Sequence, residues 1–130
     1  MANTITKTTL VNGARNLIVH VTIVGDGSGD ESASKLIDRS DYAPTDGSKT
    51  VLEKVEGHLT AFSARLLFDA TTDLEICQFP SDEAFFYDWN DAGGIPSVKA
   101  GTGYNGDILI TTSSLGNGDR GTFTLYMRKA

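Results

Sequence analysis

Apolar and polar residues alternate along most of this chain with a period of two. Residues 16–24 are the clearest case, because one face of that segment is formed by Leu17, Val19, Val21 and Ile23. Short alternating runs rich in β-branched and aromatic residues are typical of half-buried β-strands. The pattern predicts about eight strands, over residues 4–11, 16–24, 33–38, 50–61, 64–69, 74–79, 106–113 and 121–129.

The apolar faces of three of these strands predict the core. We expect it to contain Leu17, Val19, Val21, Ile23, Val55, Leu59, Phe123, Leu125 and Met127. Asn12 and Gly13 separate the first two predicted strands, and an Asn-Gly pair between apolar runs is the strongest short hairpin signal. A second turn is predicted at residues 115–119, just before the last strand.

Two long stretches, Arg39 to Lys49 and Pro80 to Asn105, are predicted to be irregular. No window of the sequence shows a convincing helical stripe. A chain of 130 residues can bury one sizeable core but not two. We therefore expect an all-β protein, folded as a single β-sandwich or jelly-roll-like domain that spans residues 1–130.

The balance of charges excludes some classes of partner. The chain has 11 Lys and Arg against 17 Asp and Glu, a formal net charge of −6. A nucleic-acid-binding protein needs a basic face, and a protein that binds anionic membranes needs basic clusters. We expect neither partner. The acidic balance suits a protein that must stay soluble at high concentration before assembly.

The sequence contains no recognisable export signal or membrane span. Residues 1–7 lack an apolar segment and a small-residue cleavage pattern. The longest uncharged stretches, residues 16–25 and 108–118, are about half of the ~20 apolar residues that a spanning helix needs. We expect the protein to be made in the cytoplasm and to stay soluble there unless it leaves as part of something larger.

Two glycine-rich loops look at first like ligand sites. Residues 25–31 (GDGSGDE) alternate possible calcium ligands, but EF-hand spacing would require Gly at Glu31 and Glu at Ile37. Residues 101–107 (GTGYNGD) lack the Lys and hydroxyl of a phosphate loop and end in Asp107, which would repel phosphate. We interpret both loops as turns and expect no metal and no cofactor.

No arrangement of nucleophile and base is visible either. His20 and His58 both fall in the middle of predicted strands, and no Ser lies in a Gly-x-Ser-x-Gly motif. Asp69 and Asp73 flank a short turn, where Asp commonly caps its own backbone. Cys77 lies in a predicted strand, where a free Cys is most often a small buried hydrophobe. We therefore expect that the protein is not an enzyme.

An aromatic-rich segment is the one unusual concentration of residues. Five of the eleven aromatic residues fall between Phe79 and Trp89. One interpretation is a loop folded over the open end of the domain's own core; the other is a contact surface, since aromatic residues are enriched at interface cores. The second interpretation gives a candidate interface formed by Phe85, Phe86, Tyr87, Trp89, Ile95 and Pro96.

Three blocks of sequence occur in an order that resembles a known family. They are residues 65–73 (RLLFDATTD), residues 91–96 (DAGGIP) and residues 100–112 (AGTGYNGDILITT). This order resembles small virion structural proteins of tailed bacteriophages, and the likeness covers most of residues 51–129. The resemblance implies an all-β capsid decoration or cement protein that binds the outside of the major capsid protein shell, and it assigns no catalytic or binding residues.

Two alternatives remain open at this point. One is a neck or tail component of the virion, which would also be structural. The other is a carbohydrate-binding module, in which Trp89, Tyr87 and Phe86 would stack on sugar rings. For a decoration protein we also expect self-association as a trimer or dimer, because several linked contacts raise the effective affinity for a shell.

Because residues 25–31 do not match a calcium loop and residues 101–107 do not match a phosphate loop, we expect stability not to depend on a metal ion. Dialysis against a chelator is expected to leave the melting temperature unchanged, since a ligand that binds only the native state must stabilise it. Differential scanning calorimetry before and after dialysis measures this. A drop of several degrees that calcium restores would contradict the interpretation of residues 25–31.

Overall fold

The computed structural model describes residues 3–42 and 49–129. These residues form two antiparallel β-sheets. The strands are β1 (Thr4–Asn12), β2 (Asn16–Val24), β3 (Ser34–Ile37), β4 (Val51–Leu59), β5 (Ser63–Phe68), β6 (Leu74–Phe79), β7 (Ala84–Asp88), β8 (Ile95–Pro96), β9 (Ile108–Ser113) and β10 (Arg120–Arg128). Sheet A has the order β1-β2-β10-β4-β7, with β8 paired to the start of β4. Sheet B has the order β3-β9-β5-β6. The predicted all-β sandwich is confirmed.

Both sheets contribute to one hydrophobic core. All nine residues that the alternation predicted to be in the core are at most 1% exposed. Sheet B adds the inward side chains of β3, β5, β6 and β9, among them Leu36, Leu66, Phe68, Phe79 and Ile110. The sandwich is therefore held together by two apolar faces whose side chains point toward each other.

The predicted irregular stretches hold more order than expected. Residues 80–105 contain the strands β7 and β8 and two 3₁₀ turns, Asn90–Ala92 and Ser97–Ala100, so the prediction of an irregular segment there is wrong. In the earlier stretch a 3₁₀ turn covers Arg39–Asp41. Residues 43–48 lie outside the described residues.

A glycine makes room for the aromatic part of the core. Gly57 of β4 lies in register between Phe123 of β10 and Phe85 of β7. A Cβ atom at this position would lie 2.5 Å from the Cβ of Phe123 and 2.2 Å from a backbone oxygen. The missing side chain lets the rings on both sides approach each other, and their centroids are 6.5 Å apart.

Strand β1 lies at the outer edge of sheet A. Along its nine residues only Ile5 is partly buried, and it packs against the core. The register with β2 shifts between Thr9 and Val11, which marks a β-bulge at Leu10. The exposed side chain of Lys7 lies in the middle of the strand. A Lys and a bulge on an edge strand both oppose pairing with another chain.

The buried position of Val21 generates a test of the fold. Val21→Asp is expected to unfold the protein, because an unpaired buried carboxylate costs several kcal/mol, a large part of a typical total stability of ~5–15 kcal/mol. Loss of the cooperative thermal transition in circular dichroism measures this. Thr6→Asp, on exposed β1, is the control and should change stability by no more than ~1 kcal/mol. A Val21→Asp protein that melts like the wild type would contradict the assigned core.

Candidate interaction surface

The aromatic segment forms strand β7 rather than a loop, and it closes one side of the sandwich. Phe85 is 7% exposed, whereas its neighbour Phe86 is 59% exposed. The Phe85 ring stacks on Phe79 of β6 at a centroid distance of 4.0 Å. The Tyr87 hydroxyl donates a hydrogen bond of 2.6 Å to the Gln78 carbonyl. Since β6 and β7 are edge strands of opposite sheets, these contacts join the sheets. For Phe85 the interpretation as a cap on the core is the correct one.

The other residues of the candidate interface are partly buried. Trp89 stacks in parallel on Tyr87, with centroids 5.7 Å apart, and both pack against the core. Ile95 and Pro96 form β8 and pair with the first two residues of β4. Among the six predicted interface residues, Phe86 is thus the exposed one. The structure does not bring the six together on one surface.

The alternation of side chains along β7 also separates the residues that were predicted to stack on sugar rings. Phe86 points to the outer side of sheet A, and Tyr87 points to the inner side, where it approaches β6. Trp89 stacks on Tyr87. Trp89, Tyr87 and Phe86 therefore cannot stack jointly on one sugar chain.

Phe86 belongs to a different surface, which we call the A face: the side chains of sheet A that point away from the core. Strand register aligns Val11, Ile18, Tyr126 and Lys54 across four strands of this face. Phe86 lies beside Lys54 on the fifth strand. At ~4.8 Å between neighbouring strands, this stripe is about 20 Å long. It joins residues that are far apart in sequence.

The middle of the stripe is ordered by contacts among its own side chains. The Lys54 ammonium lies 4.2 Å from the ring centroid of Tyr126 and 5.8 Å from that of Phe86, so it contacts both π faces. The Tyr126 hydroxyl donates a hydrogen bond of 2.9 Å to Glu56. This bond raises the pKa of Tyr126, because loss of the proton would break it.

The two histidines also lie on the A face. Both ring nitrogens of His20 lie 2.9 Å from threonine hydroxyls, those of Thr124 and Thr122 on β10. His58 is exposed. The His20 ring is therefore held in place near the centre of the face by hydrogen bonds within sheet A.

The outer side of sheet B has a different character. A groove of about 470 Å³ crosses it, lined mostly by polar side chains that include Arg65, Glu75, Gln78 and Thr111. Arg65 and Glu75 form an ion pair of 3.1 Å there, and both side chains are about half exposed. The exposed apolar and aromatic side chains of the strands thus lie on sheet A, whereas sheet B presents a polar groove.

The sequence blocks at residues 65–73 and 100–112 meet at one end of the sandwich. The Asn105 side chain donates to the Asp69 carboxylate at 3.0 Å, and the Thr71 amide donates to the Thr102 carbonyl at 3.0 Å. Gly103 packs directly against Thr71: a Cβ on Gly103 would lie 2.4 Å from the Thr71 hydroxyl. We call the set of connections at this end, residues 38–42, 69–73 and 89–107, the tied end.

Asp107 is the most buried carboxylate of the tied end. It is 4% exposed, and one oxygen accepts a hydrogen bond of 2.7 Å from the Arg39 amide. The other oxygen forms an ion pair of 3.1 Å with Lys35 of β3, which raises the pKa of Lys35. Asp107 thereby joins β3, the 3₁₀ turn after it and the start of β9. The predicted turn at residues 101–107 is confirmed.

The remaining block, residues 91–96, is fixed by β4 and β10. Gly94 has a φ of +85°, and a Cβ there would lie 2.5 Å from Val51. The carbonyl of Gly93 accepts a hydrogen bond from Arg128. Through the 3₁₀ turn at Ser97–Ala100, this block continues directly into the 100–112 block. Residues 65–73 and 100–112 are therefore hydrogen-bonded to each other, and residues 91–96 are joined to them through the chain.

The other acidic residues considered as ligands or catalytic groups form hydrogen bonds that stabilise the fold. One oxygen of Asp30 accepts hydrogen bonds from the Leu115 amide at 2.8 Å and the Thr112 hydroxyl at 3.1 Å, so the loop at residues 25–31 is braced against the β9–β10 connection. Asp73 accepts from the Ala70 amide within the predicted turn. Partial burial of Cys77 raises the pKa of its thiol to about 12, which leaves very little thiolate at neutral pH.

Within residues 3–42 and 49–129, no group of three or more His, Cys, Asp or Glu side chains could hold a metal ion. In the same part of the chain, no helix is long and apolar enough to cross a membrane.

Comparisons with known proteins add little to this geometry. No protein-family model matches the chain, and a search of the curated proteins finds no match. Among solved structures, the chain is similar to a cupin superfamily protein from Desulfitobacterium hafniense DCB-2, with 11% identity and a TM-score of 0.32 over 96% of this chain and 79% of that chain.

Burial of Asp107 generates a test of the tied end. Asp107→Ala is expected to lower the free energy of unfolding by about 1–3 kcal/mol, because it leaves the buried Arg39 amide without its acceptor. Asp107→Asn is the matched control: it keeps an acceptor oxygen and should cost less. Urea denaturation measures the free energy of unfolding of each variant, and the m-value is expected to stay unchanged. Equal midpoints for Asp107→Ala and the wild type would show that the tied end does not depend on this carboxylate.

Proposed function

We propose that this chain is a structural protein of a tailed-bacteriophage particle: a decoration protein that binds the outside of the major capsid protein shell. One observation carries the proposal. Of the three sequence blocks that resemble phage virion proteins, residues 65–73 and 100–112 are hydrogen-bonded to each other at one end of the sandwich, and residues 91–96 lead into the second of them through a 3₁₀ turn.

The residues of these blocks explain why such a unit would be shared. Gly103 and Gly94 stand where a side chain would collide with a neighbouring segment, and both have a positive φ. Asn105 and Asp107 bind other segments of the tied end through their side chains. The resemblance therefore rests on residues that determine the shape of the tied end, which supports a common architecture among these proteins.

The tied end is also the part that we propose to meet the shell. Its 3₁₀ turn at Ser97–Ala100 presents Val98, which is 38% exposed, next to the exposed Lys99. The turn is held by hydrogen bonds between Ser97 and Thr50 of 2.8 and 2.9 Å. Loops fixed in this way lose little conformational entropy on binding, so more of the contact energy is kept as affinity.

The proposal generates a test on particles. Mass spectrometry of purified phage particles is expected to find this chain, and immunogold labelling is expected to mark the head. Label on the neck or tail would overturn the decoration role and support the neck or tail alternative. Absence of the chain from the particles would overturn the virion role. Strong binding on a glycan array together with that absence would favour the carbohydrate-binding alternative.

The contact surface can be tested on the same particles. Val98→Glu is expected to weaken binding to the shell, because it places a charge at the centre of the proposed contact. Glu83→Gln, at an exposed position on the opposite end of the sandwich, is the control. Equal shell binding by Val98→Glu and the wild type would show that another surface meets the shell.

A further inference from the structure

Exposed apolar side chains concentrate on sheet A. Among the described residues, four large hydrophobic side chains are exposed: Leu10, Val11, Phe86 and Val98. Three of them lie on sheet A, and they are the most exposed of the set, at 57%, 42% and 59%. Leu10 and Val11 belong to one edge strand of the sheet, and Phe86 belongs to the other. Register places Val11 and Phe86 on the A face, and exposed apolar groups on one face are typical of an interaction surface.

The charges of the A face are balanced although the chain is acidic. Its strands carry three cations and three anions pointing outward: Lys54, Arg120, Arg128, Glu53, Glu56 and Asp88. The net charge of −6 therefore comes from the rest of the chain. Two copies that approach through any strongly acidic surface repel each other, whereas two A faces do not.

From these observations we infer that two copies of this chain pack face to face through their A faces, related by a two-fold axis that runs along β10. β10 is the central strand of sheet A, so this axis places the β1 edge of one copy over the β7 edge of the other. Val11 of each copy then approaches Phe86 of its partner, and Tyr126 lies near the axis. A two-fold interface uses the same patch on both copies, as this arrangement does.

The size of the face fits a stable dimer. Four of its five strands, β1, β2, β4 and β10, are nine residues long. At ~3.4 Å per residue and ~4.8 Å between strands, the face covers about 700 Å². A standard interface buries about 800 Å² on each partner. The A face is therefore large enough without help from the rest of the chain.

Pairing through the edge of β1 is a less suitable arrangement. Lys7 and the bulge between Thr9 and Val11 interrupt that edge, and both features oppose strand addition. Edge pairing would also leave Phe86 exposed, because Phe86 lies on the opposite edge of the sheet. Face-to-face packing covers the exposed side chains of both edges at once.

The inference does not depend on the virion role, and it can be tested on the purified chain alone. Light scattering at tens of micromolar is expected to give twice the chain mass of 13.9 kDa. Phe86→Glu and Val11→Glu are each expected to weaken the dimer by roughly 30-fold or more, because each change occurs twice in a two-fold interface. Val98→Glu makes the same kind of change outside the A face and should leave the dimer intact.

The two variants separate the possible outcomes. Loss of the dimer in both, with unchanged circular dichroism, supports the A face. Loss in Val11→Glu alone indicates pairing through β1 and overturns the inference, as does a monomeric or trimeric wild type. Equal loss in Val98→Glu would overturn it too, since the effect would then not be specific to the face. If Phe86→Glu fails to fold, Lys54→Glu replaces it at the neighbouring position of the stripe.

Discussion

Strand β10 is the element on which the rest of the structure depends. It pairs with β2 along nine residues and with β4 along eight, so it lies at the centre of sheet A. Its inward side chains, Phe123, Leu125 and Met127, fill the core. Its outward side chains, Thr122, Thr124 and Tyr126, hold His20 and Glu56 in place. Both the sandwich and the A face therefore form only after the chain has been made as far as residue 128.

The two proposed contact surfaces are compatible with each other. The tied end consists of connections at one end of the strands, whereas the A face consists of side chains along them. A two-fold axis along β10 preserves the direction of the strands, so both tied ends of a dimer would point the same way. A dimer could then bind a shell through two tied ends at once, which raises the effective affinity without any new kind of contact.

Alternation predicted the strands wherever one face is apolar and the other polar. It missed β7, because an outward Phe86 between the inward Phe85 and Tyr87 hides the period of two. It also missed Leu52, which is fully buried next to the register shift opposite Met127. The A face could not be predicted, because Val11 and Phe86 are brought onto one face only by the pairing of five strands. The residues of the candidate interface are divided for the same reason: neighbouring residues of a strand such as β7 point to opposite faces.

The outer edge of β1 bears on how this protein behaves when it is abundant. In the proposed virion role the protein would accumulate to high concentration before assembly, and an open strand edge would then be a template for cross-β aggregation. Lys7 places a charge in the middle of that edge, and the bulge at Leu10 breaks its line of hydrogen-bonding groups. Exposed threonines occupy much of the remaining strand. Both features oppose the addition of a further strand at an edge that also exposes Leu10 and Val11.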